Sequence, residues 1–183
     1  MTCVVGLECA DRVHLAGDGV ATGKHEVAVW TDAKVFTLHN MVFGFSGSFR
    51  VGQTVRHAFV PPSYTGDDDG FTAHLATAFA SALRACLRVA GVRMGDTSML
   101  IGRGSRLYKM ESNLQVNRVY DGFAAIGCGD ELATGALYAT QGLVESPKKR
   151  LRLALEAAER YNLNVRRPFT FVTTRAPRKR KQA

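Results

Sequence analysis

The sequence has no apolar run long enough to cross a bilayer. None of its hydrophobic stretches approaches the roughly 20 residues that span a membrane. The first stretch, Val4 to Leu7, is short and is followed closely by Glu8 and Asp11, which is not the pattern of a secretory signal. The sequence also lacks an Asn-x-Ser/Thr glycosylation site. These absences argue against a membrane or secreted protein, and we expect a cytoplasmic location.

Clusters of metal-binding residues are also missing. The four cysteines, Cys3, Cys9, Cys86 and Cys128, form no C-x-x-C pair, and the five histidines share no metal-ligand spacing. In a cytoplasmic protein such cysteines are most simply free thiols that pack as small hydrophobic residues. We therefore predict neither a metal site nor a cofactor.

The positive charge is concentrated at the end of the chain. The formal net charge is +8, and five of the basic residues lie within 175–183, so that the rest of the chain carries only +3. We expect 175–183 to be a solvated, disordered tail, and the alternative is a site for nucleic acid or an acidic partner. No aromatic residue is interleaved with these charges to stack on bases, so we do not expect a nucleic-acid partner.

The hydrophobic pattern predicts one domain over residues 2–174. It gives strands, two helices, strands, two helices and a last strand, and this clustering argues against alternating βαβ units. We predict an α+β fold with two mainly antiparallel sheets packed together and helices outside. The predicted hairpins are 2–9 with 12–18 and 34–38 with 41–45; the other strands are 25–30, 97–102, 106–110, 115–120, 122–126 and 168–174; the helices are 48–60, 71–90, one capped by Asp130 and one capped by Ser146 with Pro147 following.

Hairpin register brings together residues that are far apart in sequence. If the loop of the first hairpin has two residues, Asp18 lies opposite Cys3. If the loop of the second hairpin also has two residues, Lys34 lies opposite Phe45. We therefore expect one sheet to gather four residues at one edge: Thr2, Asp18, Lys34 and Gly44.

Five motifs then identify a family. They are Thr2-Cys-Val-Val-Gly6, Gly17-Asp-Gly-Val-Ala-Thr22, Asp32-Ala-Lys-Val-Phe36, Gly44-Phe-Ser-Gly47 and Ala125-Ile-Gly-Cys-Gly129. Over 2–174 the chain resembles proteasome β subunits and bacterial HslV, and in length it resembles the small bacterial proteasome homologues of the betaproteobacterial type. The most specific element is a threonine followed by an aspartate sixteen residues later and a lysine sixteen residues after that. The resemblance implies the four-layer αββα sandwich of N-terminal-nucleophile hydrolases.

The resemblance also implies catalytic roles. Thr2 would be the nucleophile once Met1 is removed, with its own α-amino group as the general base. Lys34 would supply positive charge beside Thr2, and Asp18 would orient Lys34. Gly44 would donate its main-chain N–H to the oxyanion, and Cys128 stands in the glycine motif near the nucleophile, where the family usually has serine.

Further roles concern substrate and partners. Thr22 matches the position that holds the substrate backbone as an added strand. Three residues would line the specificity pocket: Ala21, Val42 and Ser46. The family implies a homo-oligomeric ring that cleaves peptides or unfolded proteins, either with an ATP-dependent unfoldase or on small peptides alone.

A second hypothesis follows from departures from the family pattern. A thiol at Cys128 is a weaker hydrogen-bond partner than the usual serine. Tyr161 and Asn164 fall in the stretch where the family has an Asp and Ser pair that helps to hold the amine. These differences are also compatible with an inactive proteasome-like assembly protein that binds partners.

Two other motifs are rejected. The segment 44–48 ends in serine where the serine-hydrolase elbow requires glycine. The acidic run that begins at Asp67 lacks the glycine and the closing glutamate of a calcium loop, so we predict a solvated loop.

Overall fold

The computed structural model describes residues 2–22 and 27–175. Its strands are β1 (Cys3–Glu8), β2 (Val13–Gly17), β3 (Val20–Thr22), β4 (Val27–Val29), β5 (Val35–Leu38), β6 (Met41–Ser46), β7 (Ser98–Arg103), β8 (Arg106–Met110), β9 (Val116–Arg118), β10 (Phe123–Gly127) and β11 (Thr170–Thr173). Its helices are α1 (Phe49–His57), α2 (Asp68–His74), α3 (Ala80–Val89), α4 (Asp130–Ala139) and α5 (Pro147–Tyr161), and a π-helical turn, Leu75–Phe79, joins α2 to α3.

Two antiparallel sheets form the centre of the molecule. One has four strands in the order β10-β1-β2-β11, and the other has five in the order β5-β6-β7-β8-β9. A separate two-stranded sheet pairs β3 with β4. The predicted pair of antiparallel sheets is confirmed.

Three hydrophobic clusters show how the layers stack. One lies between the sheets and includes Val4, Leu15 and Leu100. A second packs α1, α2 and α3 on the five-stranded sheet, and a third packs α4 and α5 on the four-stranded sheet. The order of layers is helices, sheet, sheet, helices, which is the predicted αββα sandwich. Burial of apolar side chains on both faces of both sheets is the main stabilising contribution.

The two predicted hairpin registers are confirmed. The Asp18 N–H donates to the Cys3 carbonyl at 3.1 Å, and the Phe45 N–H donates to the Lys34 carbonyl at 3.1 Å. The expectation that one sheet gathers all four site residues is wrong. Thr2 and Asp18 flank strands of the four-stranded sheet, whereas Lys34 precedes β5 of the five-stranded sheet. They meet across the sandwich, since register fixes pairs within a sheet but says nothing about which sheets stack.

The predicted helix over 71–90 contains an interruption. Five buried residues recur at intervals of four: Phe71, Leu75, Phe79, Leu83 and Leu87. Because an α-helix has 3.6 residues per turn, each interval of four rotates the side chain by roughly 40° away from the sheet. The π-helical turn takes up one extra residue, which resets this drift and keeps the whole row on one face.

The start of α5 follows the predicted cap. Ser146 accepts the Lys149 N–H on its hydroxyl, and Pro147 occupies the first helical position. The prediction that Asp130 caps α4 is wrong, because Gly129 is the N-cap and the Asp130 carboxylate accepts the N–H of Glu131.

Parts of the prediction fall outside the described residues. The strand predicted over 25–30 is described only from Val27, and the basic tail, 175–183, only at Arg175. Within the described ranges, no helix is long and apolar enough to cross a membrane.

Gly44 provides a test of the packing between the sheets. A Cβ at this position would lie 2.5 Å from Val4 Cγ1 and 3.2 Å from Val35 Cγ1, across a layer with no room for it. We expect Gly44→Ala to lower the free energy of unfolding by about 1–3 kcal/mol, measured by urea denaturation. The matched control is Gly135→Ala in α4, where a Cβ meets nothing within 4 Å and should stabilise the helix slightly. Equal effects of the two changes would contradict this packing.

Candidate active site

An ion pair is buried where the two sheets meet. Lys34 Nζ lies 2.8 Å from Asp18 Oδ1 and 2.9 Å from Asp18 Oδ2, and it also donates to the main-chain carbonyl of Val20. Asp18 and Lys34 are each 1% exposed. Because Asp18 follows β2 and Lys34 precedes β5, the pair links the four-stranded sheet to the five-stranded sheet.

The surroundings of the pair are electrostatically costly and well compensated. Burial raises the pKa of the Asp18 carboxyl and lowers the pKa of the Lys34 ammonium, and in each case the charge of the partner opposes the shift. The carboxylate also accepts the N–H of Cys3 at 2.8 Å and that of Val20 at 3.4 Å. Buried ions are retained only where hydrogen bonds of this kind accompany the Coulomb attraction, and they are weak evidence for stability alone.

Thr2 lies at the start of β1, directly beside this pair. The N–H of Cys3, the next residue, donates to the same Asp18 oxygen that Lys34 Nζ contacts. Thr2 is 1% exposed, and its hydroxyl is buried with no hydrogen-bond partner among the described residues. Buried hydroxyls are nearly always paired, so an unpaired one requires a reason, and reactivity is one.

The Cys3 thiol is not a candidate nucleophile. Its side chain is fully buried in the cluster beneath α4 and α5. Burial is the largest cause that raises the pKa of the Cys3 thiol far above its ordinary value. The thiol therefore stays protonated and behaves as a small hydrophobic side chain.

The loop after β10 lies against Thr2. The Cys128 thiol donates to the main-chain carbonyl of Thr2 at 3.4 Å. Gly127 has a φ of +103°, and a Cβ there would lie 2.1 Å from the same carbonyl oxygen. Glycine is therefore required at 127 both by its backbone conformation and by the close approach of Thr2. The loop fixes the main chain of the candidate nucleophile.

Asn162 is a site residue that the sequence reasoning missed. Its amide nitrogen donates to the Cys128 carbonyl at 2.5 Å, and its amide oxygen lies 3.8 Å from the Cys128 sulfur. That oxygen also accepts the Asn164 N–H at 2.9 Å. Tyr161, which the sequence suggested for this role, is 76% exposed, and Asn164 contributes through its main chain. The sequence analysis selected the correct stretch at the end of α5, but it did not identify which side chain of that stretch faces the loop.

The predicted role of Gly44 is wrong. Since the Phe45 N–H donates to Lys34 on the β5 side, the alternation of an antiparallel strand points the Gly44 N–H to the other side, toward its β7 partner Leu100. The Cα of Gly44 faces Val4 and Val35 between the sheets. Its N–H therefore belongs to the sheet and is not free to bind an oxyanion.

The predicted pocket residues separate into different surroundings. Val42 is fully buried between the sheets, where a substrate side chain cannot reach it, so that prediction is wrong. Ser46 ends β6, and its hydroxyl oxygen is 2.9 Å from the position of a Cβ on Gly127, which places it near Thr2. Ala21 and Thr22 lie on β3, which pairs with β4, and the roles of both residues stay predictions.

A cavity opens beside Lys34. It has a volume of about 270 Å³ and is lined by Trp30, Thr31, Asp32, Phe49 and Gln53. Lys34 Nζ lies 5.8 Å from the centre of the Phe49 ring. The Asp32 carboxylate at its edge is already paired with Arg56 at 3.3 Å and accepts from Gln53 at 3.1 Å. The sequence reasoning missed this cavity because Phe49 and Gln53 line it only when α1 is packed on the five-stranded sheet.

The four layers, with Thr2 at the edge where they meet, define the class of the fold. It is the αββα fold of the proteasome-type N-terminal-nucleophile hydrolases, and the fold predicted from sequence is confirmed. No family model matches the chain, and no curated protein matches it in sequence.

Solved structures of this class superpose on most of the chain. Thiobacillus denitrificans BPH, including its complex with epoxomicin, matches with a TM-score of 0.78 and 16% identity over 96% of this chain and 99% of that one. Trypanosoma brucei HslV matches with a TM-score of 0.68 and 18% identity over 93% and 98%. The Gly-1 mutant of Anbu from Hyphomicrobium sp. strain MC1 matches with a TM-score of 0.69 and 18% identity over 96% and 82%. At these identities the likeness establishes the fold.

The buried ion pair generates a stability prediction. Asp18→Asn leaves the Lys34 ammonium buried without its counter-ion, and we expect the free energy of unfolding in urea to fall by roughly 3–5 kcal/mol. The control is Asp11→Asn, which removes an exposed ion pair with Arg12 and should leave no measurable change. If both variants unfold at the wild-type urea concentration, the electrostatic description of the site is incorrect.

Proposed function

We propose that this protein is a threonine peptidase that uses Thr2 as its nucleophile after Met1 is removed. One observation carries the proposal: a buried threonine hydroxyl without a partner among the described residues adjoins a buried lysine–aspartate pair. The fold shared with BPH, HslV and Anbu is consistent with this chemistry.

The general base in this proposal is the α-amino group of Thr2. A free α-amine has a pKa of about 7.7–8.0, so part of it is neutral at working pH and accepts the hydroxyl proton. While Met1 is present this nitrogen is an amide, which has no basic lone pair. Removal of Met1 is therefore the step that creates the catalyst, and threonine is small enough for methionine aminopeptidase to expose it.

Lys34 and Asp18 act on the charge that develops at Thr2. The Lys34 ammonium stabilises the negative charge that develops on the Thr2 oxygen as the hydroxyl loses its proton. The ammonium does not have to move during the reaction, because Asp18 already holds it in place. The attacking oxygen adds to the peptide carbonyl, and the peptide C–N bond then breaks as the protonated α-amine passes its proton to the leaving amine. This leaves the acyl group as an ester on the Thr2 oxygen, and water hydrolyses that ester, which releases the carboxylic acid and restores the Thr2 hydroxyl.

Gly47 is the better candidate for the oxyanion donor. Ser46 is the last residue of β6 and pairs with Ser98 of β7. Because successive N–H groups along a strand point to alternate sides, the Gly47 N–H points away from β7, toward the side where Lys34 lies. This N–H makes no hydrogen bond to another described residue. A donor of this kind contributes about 2.7–4 kcal/mol to transition-state stabilisation.

Peptide substrates fit the remaining features. The cavity beside Lys34 has an apolar wall of Trp30 and Phe49, so we expect a preference for an apolar side chain next to the cleaved bond. The strand β3, with Thr22, offers main-chain groups to an extended peptide. We further propose a homo-oligomeric ring that acts on peptides or unfolded proteins, and an ATP-dependent unfoldase is required only if native proteins are substrates.

Hydrolysis of short fluorogenic peptides tests the nucleophile. We expect Thr2→Ala, produced with Met1 removed, to lose hydrolysis down to background, and Thr2→Ser to retain part of it because a hydroxyl remains. Both variants should keep the wild-type circular dichroism spectrum. Equal rates for wild type and Thr2→Ala would overturn the mechanism.

Asn162 provides a second test through positioning. Asn162→Ala removes the bond to the Cys128 carbonyl, so the loop against Thr2 loosens, and we expect kcat to fall about tenfold to a hundredfold with KM little changed. The matched control is Asn164→Ala, because only the main chain of Asn164 contacts Asn162. A control variant that loses as much activity would rule out this role.

An inactive assembly protein is the alternative function. It is favoured by Cys128, whose thiol is a weaker hydrogen-bond partner than a hydroxyl and donates to the main-chain carbonyl of Thr2 at 3.4 Å. This alternative predicts that processed wild type and Thr2→Ala are equally inactive on every peptide while both assemble to the same size in analytical ultracentrifugation.

A further inference from the structure

A second cavity lies apart from the candidate active site. Its volume is about 590 Å³, and it sits between the C-terminal end of α3 and the turn that joins β8 to β9. Three arginines surround it, Arg84, Arg88 and Arg93, and three buried apolar residues form its floor, Leu87, Met94 and Leu114. None of the residues that line it belongs to the site around Thr2.

The three arginines have no carboxylate partner among the described residues. Four other arginines are paired at 2.5–3.3 Å with aspartate or glutamate, namely Arg12, Arg56, Arg103 and Arg167, so an ion pair was open to this residue type elsewhere in the fold. Arg84 and Arg88 are four residues apart on one face of α3, where two like charges destabilise a helix. The chain therefore bears an electrostatic cost around this cavity that an anion would relieve.

Capping of α3 does not account for these charges. The carbonyls of Cys86, Leu87 and Arg88 accept main-chain N–H groups from the turn that follows, at 2.8–3.1 Å. The helix end thus has its acceptors satisfied without a guanidinium. The arginine side chains remain available to an external partner.

The opposite wall of the cavity is conformationally strained. Leu114 has a φ of +70°, a left-handed conformation that is unfavourable for a branched side chain. This conformation directs the leucine inward, where it is only 8% exposed and forms part of the apolar floor. Strain of this kind often accompanies a binding site, where a side chain is held in a required place.

We infer that this cavity binds an acidic peptide segment of a partner protein. Carboxylates of the segment would pair with Arg84 and Arg88, and an aliphatic side chain between them would cover Leu87 and Leu114. Arginine suits such recognition because its planar guanidinium binds a carboxylate through two hydrogen bonds. Among the described residues, no aromatic side chain lines the cavity to stack on a base, which disfavours nucleic acid.

Fluorescence anisotropy of a labelled peptide tests the inference on the full chain. The probe is fluorescein-Leu-Glu-Asp-Leu-Glu-Leu, and the control probe replaces each Glu and Asp by Gln and Asn. We expect saturable binding of the acidic probe that weakens with added salt, and at least about tenfold weaker binding by the Arg84→Gln/Arg88→Gln variant. Arg118→Gln, an exposed arginine on β9, is the control and should bind as wild type does.

Three results would overturn the inference. The first is equal binding of the acidic and neutral probes, and the second is unchanged binding by a folded Arg84→Gln/Arg88→Gln variant. The third is displacement of the probe by inorganic phosphate or oligodeoxythymidine at lower concentrations than by unlabelled peptide. The last result would assign the cavity to a phosphate ligand. The assay reads binding alone, so its outcome is independent of whether Thr2 is catalytic.

Discussion

The candidate active site depends on one buried ion pair that joins two sheets. Asp18 and Lys34 come from different sheets, and the same carboxylate that holds the ammonium also holds the first main-chain N–H of β1. Because burial opposes the charge on both side chains, the pair is an inefficient way to stabilise a fold. It is an effective way to place a fixed positive charge beside Thr2, and the surrounding structure can be understood as the means of keeping it there.

The supporting structure around Thr2 comes from the helical layer on the four-stranded sheet. Gly127 allows the loop to touch the Thr2 carbonyl, Cys128 donates to that carbonyl, and Asn162 at the end of α5 holds the loop. The amide side chain of Asn162 therefore connects α5, which packs on β1, to the loop that contacts Thr2. A thiol in this chain makes a longer and weaker contact than a hydroxyl would, which leaves the hydrogen bonds of Asn162 as the firmer constraint.

Local pattern predicted the elements that lie within one sheet. Two-residue loops fixed both hairpin registers, so the positions of Asp18 and Lys34 along their strands followed from counting. Stacking of the sheets does not follow from register, and the sequence reasoning therefore placed these residues in one sheet and Gly44 at its edge. The Gly44 N–H points away from β5, and the strand that occupies that side is β7, which lies more than fifty residues away in sequence.

Other misses also have physical causes. The row of buried residues from Phe71 to Leu87 predicted a helix correctly. The π-helical turn arises because the four-residue spacing of this row conflicts with the 3.6-residue period of an α-helix. This conflict becomes apparent only when all five side chains must face one sheet. Asn162 was missed because the end of a helix can be predicted only to within a residue or two. At the end of α5, an error of one residue selects the exposed Tyr161 in place of Asn162, whose side chain holds the loop.

The intact mass of the protein after incubation with an epoxyketone tests the central claim most directly. Such a compound reacts stably only where a hydroxyl and a free amine lie on neighbouring carbons, as in an N-terminal threonine. We predict that wild type purified from cells lacks Met1 and gains the mass of one inhibitor on Thr2, and that Lys34→Met reacts far more slowly. A protein that retains Met1, or that has lost it and remains unmodified, would contradict the account.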